Sequence, residues 1–105
     1  MRVVNYDALL KEIVETFQFK YKDVHICDHV EFKEGFIVTR TYDPTVCISG
    51  RIFITYNEGE KALEIIDSDG NVNNWYDWID LKNYNKMEIG IKINDYLASR
   101  NVERW

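Results

Sequence analysis

Between residues 6 and 17 the apolar side chains recur at spacings of three and four, and from residue 24 onward they recur at every second position. That change of period constrains the fold more than any other feature, because the first pattern makes one stripe of a helix and the second makes one face of a strand. Tyr6, Leu9, Leu10, Ile13, Val14 and Phe17 form the helical stripe, with Asn5 placed to cap its start and Asp7, Lys11, Glu12 and Glu15 on the solvent side. Val24, Ile26, Val30 and Phe32 then define one strand face, while His25, Cys27, His29 and Glu31 take the other.

Turn chemistry extends the pattern into a sheet. A three-residue loop at 33–35, with Gly35 in the left-handed position, sets Phe32 opposite Phe36, Val30 opposite Val38, Asp28 opposite Arg40 and Ile26 opposite Tyr42. A second three-residue loop at 43–45 brings Tyr42 against Val46, after which Val46, Ile48, Gly50, Ile52 and Ile54 continue the same face as one strand. A four-residue turn at 57–60 sets Leu63 opposite Ile54 and Ile65 opposite Ile52 in a strand ending near Asp67. Residues 71–80 read equally as a fifth strand or as a helical turn.

Near the carboxyl end the polar stripe Glu88, Lys92, Asp95 and Ser99 has helical spacing and predicts a helix over 86–100. Asn85 and Glu88 make a capping pair, and Gly90 costs roughly 1 kcal/mol. The wide apolar arc predicts packing on more than one side. The expected class is α+β: an N-terminal helix, an antiparallel four- to five-stranded meander and a C-terminal helix, with both helices on one sheet face.

Size and composition bound the function. The 105 residues suffice for one domain over 1–105, and 46% apolar with 30% charged residues is the balance of a globular chain. The longest apolar runs are far short of the roughly 20 residues that cross a bilayer, and the start lacks a signal-peptide pattern, so a cytoplasmic location without membrane contact is expected. In the register above Cys27 and Cys47 lie two strand spacings apart, about 9.6 Å, too far for a disulfide or a shared ion. Two free thiols fit a reducing compartment.

Charge is uneven. Residues 57–80 hold Glu58, Glu60, Glu64, Asp67, Asp69, Asp77 and Asp80 against Lys61 alone, a segment charge of minus 6 that leaves plus 1 elsewhere in a chain of net minus 5. Without a basic stripe, direct binding to nucleic acid is not expected; a basic protein surface is the complementary partner. Trp75, Tyr76 and Trp78 interleave with Asp77 and Asp80 as aromatic anchors beside that charge.

Other constellations are weaker. His25 and His29 with Cys27 could chelate zinc from one strand, but the outer pair is about 13 Å apart, so no metal or other cofactor is expected. Asp28, Arg40 and Tyr42 could instead line a small-ligand site beneath the helices. Asp67, Asp69, Asn71 and Asn73 alternate like a calcium loop, but Gly70 and Trp78 fall in the wrong register for one. No nucleophile has the partners that catalysis requires, so an enzyme is not expected. On the outward sheet face Ile37, Phe53 and Ile66 surround Arg51, a composition suited to a homodimer contact or another partner.

In size, acidity and absence of motifs the chain resembles the compact proteins with which bacteriophages block host defence complexes, including DNA-mimicking anti-CRISPR inhibitors; the resemblance covers no particular positions. It implies a small non-enzymatic inhibitor that occupies a basic, nucleic-acid-binding surface of a larger host protein. A small-ligand or metal-binding domain using Asp28, Arg40 and Tyr42, or His25 and His29, is the alternative.

Overall fold

A computed structural model describes residues 6–28, 30–34, 36–42, 44–57, 59–68, 75–82 and 85–105. The order is α1 (Tyr6–Phe17), β1 (His25–Cys27), β2 (Val30–Glu34), β3 (Ile37–Tyr42), β4 (Thr45–Ile48), β5 (Ile52–Asn57), β6 (Ala62–Asp67), β7 (Trp75–Asp80) and α2 (Lys86–Ser99). Five strands form one antiparallel sheet in the order β1-β4-β5-β6-β7, and among the described residues β2 pairs only with β3. The architecture is α+β, and both helices contribute to one core cluster on one face of the larger sheet.

The period switch explains that core. Leu9, Leu10, Ile13 and Phe17 of α1 and Ile89, Ile93 and Leu97 of α2 are buried with Val46, Ile48, Ile52, Ile54, Leu63, Ile65 and Ile79. Each such side chain contributes roughly 2 kcal/mol by leaving water. Asn85 caps α2 as its sequence position suggests, its Oδ1 accepting from the Glu88 backbone N–H at 2.9 Å. The wide apolar arc of α2 is packed on one side only, since Met87 and Ile91 are exposed. Asn5 lies outside the described residues.

The hairpin and strand registers differ from the sequence expectation in three places. The 48–52 segment is not a continuous strand: Ser49 and Gly50, with φ of 56° and 65°, turn the chain back so that Ile48 lies opposite Ile52. Positive φ at both central residues is the mirror-image turn that suits the twist of a hairpin. Because Ile48 and Ile52 become direct partners, they share a face in the hairpin as they would in a straight strand, so the period-two pattern is the same in both. A Gly50→Ala substitution should cost about 1 kcal/mol by forcing a Cβ into that backbone conformation, although the space there is open; chemical denaturation would measure it.

The second difference is that β2 and β3 leave the sheet. Val30 pairs with Tyr42 and Phe32 with Arg40, a register shift follows, and Glu34 pairs with Ile37, so Asp28 and Arg40 are not cross-strand partners. With β2 and β3 gone, β1 lies directly against β4, and His25 faces Cys47. Third, β5 and β6 pair Ile54 with Ile65 and Tyr56 with Leu63, two residues from the expected register, which keeps the same faces inward. Residues 75–80 are a strand paired with β6.

The carboxyl-terminal tail folds back on residues 18–22. The Trp105 backbone N–H donates to the Lys20 carbonyl at 2.9 Å, and Val102 is buried in the core. Among the described residues no helix is long and apolar enough to cross a membrane.

Candidate functional site

The acidic segment divides into a structural part and a presented part. Asp67, at the end of β6, is 0% exposed on the helix-facing side of the sheet. Arg51 Nε donates to Asp67 Oδ1 at 2.7 Å and its Nη2 to Oδ2 at 2.9 Å, while Arg100 Nε donates to Oδ2 at 2.7 Å. Arg51 also donates to the Arg100 carbonyl at 2.8 Å, so one carboxylate ties the β4–β5 turn, β6 and the end of α2 together. Burial alone would raise the Asp67 carboxyl, but the hydrogen bonds from Arg51 and Arg100, and their charges, outweigh it and hold the group below its ordinary value. Burial pushes the neighbouring Tyr96 phenol up, and the Asp67 charge adds to that shift.

Glu64 is likewise interior, 2% exposed, midway along β6 between Thr55 and Trp78. Neither Glu64 nor Asp67 is available to a partner, which corrects the expectation that the segment forms one negative surface. A carboxylate in a central strand goes where the strand takes it, and all six residues of β6 are buried. Glu58 and Asp69 lie outside the described residues.

What remains is the β7 edge. Among the described residues this strand pairs only with β6, at one end of the five-stranded sheet. Asp77 and Trp78 are exposed, Trp78 at 45%, and Asp80 is half-buried. Glu60 is exposed in the adjoining turn, which meets the end of β7 where the Leu81 N–H donates to the Lys61 carbonyl. Three acids and one indole therefore line one end and edge of the sheet. Charges at an edge also discourage strand addition from other copies. The Trp75 and Tyr76 backbones belong to the same strand, opposite Asp67 and Ile66.

The proposed dimer face is not assembled. Phe53 and Ile66 are cross-strand partners, but Ile66 is buried, Arg51 turns to the helix-facing side to bind Asp67, and Ile37 lies in the separate β2–β3 hairpin. Ile37 is exposed there beside Phe36 and Val38 at the hairpin tip. Asp28, expected beneath the helices, is exposed.

Two further features complete the surface. A groove of about 620 Å³ runs between α1 and α2, lined by Ile13, Phe17, Met87 and Ile91 among others, and the Lys86–Glu12 ion pair spans the two helices at 2.9 Å. On the sheet face away from the helices, Cys27 and Cys47 form a disulfide with Cα atoms 6.5 Å apart, contrary both to the two free thiols and to the two-strand separation expected from the continuous meander. His25, Cys27 and Cys47 have all their ligating atoms within 4.8 Å of one another. His29 lies outside the described residues. No family model, curated protein or solved structure matches this chain.

Proposed function

We propose that this chain is a small non-enzymatic binding protein that occupies a basic, nucleic-acid-binding surface of a larger protein in the cytoplasm. This is the mode of action implied by the resemblance to DNA-mimicking phage inhibitors of host defence complexes, anti-CRISPR proteins among them. The observation that supports the reading is the β7 edge, where exposed Trp78 shares one sheet face with Asp80, Asp77 lies on the other, and Glu60 is exposed in the neighbouring turn. An exposed aromatic side chain on an acidic strand suits a basic surface: the indole supplies contact area to bury and the carboxylates supply steering and register. The mechanism is competition, since the same cationic surface cannot hold phosphates and these carboxylates at once.

The test is capture of a partner on the immobilised chain followed by challenge with duplex DNA. Release by DNA supports competition, and a partner that stays bound under saturating DNA contradicts it. Trp78→Ala should weaken the association by roughly 2 kcal/mol, about thirtyfold, as expected of an interface anchor. Its effect on folding should stay near 1 kcal/mol or below because the side chain is 45% exposed. Calorimetric titration and thermal melting separate the two.

A further inference from the structure

The geometry points to a redox-gated site for a thiophilic divalent cation such as zinc, built from His25, Cys27 and Cys47 and open only when the Cys27–Cys47 disulfide is reduced. The three residues come together because β1 pairs with β4. His25 faces Cys47 directly, Cys27 is one diagonal away, and all three project from the sheet face opposite the helices, since Ile26 and Val46 between them pack toward the core.

The histidine is already oriented for ligation. Its Nδ1 lies 3.1 Å from the Asp23 carbonyl oxygen. A carbonyl only accepts, so Nδ1 carries the proton, and in the neutral ring the lone pair is on Nε2. That lone pair faces Cys27 Sγ at 3.4 Å. A backbone carbonyl holding the second ring nitrogen is the support that metal-binding histidines ordinarily have. The Asp23 carbonyl is fixed by a left-handed turn, φ 50°, immediately before the strand.

Distances agree with a tetrahedral centre. Bond lengths of about 2.3 Å to sulfur and 2.0 to 2.1 Å to nitrogen put a sulfur and a nitrogen ligand about 3.6 Å apart. The observed 3.4 Å is within that reach. Two thiolates on one ion are about 3.8 Å apart by the same geometry, a separation that side chains on backbones 6.5 Å apart can reach once the disulfide is opened. Three protein ligands leave a fourth position for water or an exogenous ligand, and thiolate with imidazole is a donor set that selects zinc over hard cations.

The states exclude each other. An external dithiol opens the disulfide by exchange: it supplies two electrons and two protons, the protein gains two thiols, and the dithiol becomes a disulfide. The cation then displaces one proton from each thiol and binds the two thiolates and Nε2, so loading releases two protons. In an oxidising setting the sulfurs bond to one another and no site exists; in a reducing one they are free to ligate.

The experiment uses the full chain without a histidine tag, reduced with a dithiol, freed of reductant under anaerobic conditions and titrated with cobalt(II). One equivalent is expected, with tetrahedral ligand-field bands and sulfur-to-metal charge transfer, displaced by zinc. The oxidised chain should give neither signal. His25→Ala, at an exposed position that leaves the core intact, should weaken binding at least about tenfold with circular dichroism unchanged. Cys47→Ser should remove much of the charge-transfer absorption. Absence of cobalt binding by the reduced wild-type chain, or equal affinity in His25→Ala, would overturn the proposal.

Discussion

Replacing Asp67 with Asn is expected to lower stability by about 3 kcal/mol, because it removes the charge that accepts from two arginines at a fully buried position. For a domain of this size that corresponds to a fall of about 15 °C in the melting midpoint. It is a large share of a total that is typically 5 to 15 kcal/mol. Arg51 and Arg100 are partly exposed, so either Arg→Ala change alone should cost less.

The pH dependence carries the same signature. The Asp67 carboxyl is held below its ordinary 3.8 despite burial, by the hydrogen bonds and charges of Arg51 and Arg100. A depressed carboxyl stabilises the fold fully above the unfolded value, and the contribution is lost as pH falls through the folded one. The difference in midpoint between wild type and Asp67→Asn should therefore be constant near neutrality and shrink below about pH 4. A difference that persists unchanged into acid would mean that packing, and not the ion triad, carries the effect.

Reduction of the Cys27–Cys47 disulfide is expected to destabilise the chain by a similar amount. The bond closes a loop of 20 residues that contains the whole β2–β3 hairpin, and it fastens the three-residue β1 to β4. Loop-closure entropy for that length is about 3 kcal/mol in the unfolded chain. With a urea dependence of about 1.5 kcal/mol per molar, the denaturation midpoint should drop by about 2 M on reduction. A Cys27→Ser, Cys47→Ser double variant should match the reduced protein and ignore reductant. Midpoints that coincide with and without reductant would show that the bond contributes nothing to folding.

Both helices were legible in the residues. The stripe from Leu9 to Phe17 and the Asn85 cap each carry a local signal that tertiary context leaves intact. The register was less so, for a definite reason: a hairpin that pairs Ile48 with Ile52 preserves the alternation of a straight strand, and only the Ser49, Gly50 dipeptide marks the turn. The cysteine pairing turns on a separate difference. With β2 and β3 kept in the meander, Cys27 and Cys47 stand two strands apart, whereas removing the hairpin makes them neighbours and creates the cysteine and histidine cluster.

The buried charge shows a different limit. The inward direction of Asp67 follows from strand alternation, but its partners come from a turn 16 residues away and from the end of a helix 33 residues away. No periodicity encodes such contacts. Charge counting along residues 57–80 likewise could not separate Glu64 and Asp67, which face the interior, from Glu60, Asp77 and Asp80, which meet solvent at or near the sheet edge.

Placing the binding surface on that edge has a direct consequence for affinity. The deciding measurement is the dissociation constant of the captured partner for the wild-type chain and for a Glu60→Lys, Asp77→Lys, Asp80→Lys variant, at low and high salt, with melting curves of both. Wild-type affinity should fall as salt rises, and the variant should bind at least about tenfold more weakly at low salt while melting within a few degrees of wild type. Equal affinity of the two chains at low salt would contradict an acidic β7 edge as the recognition surface.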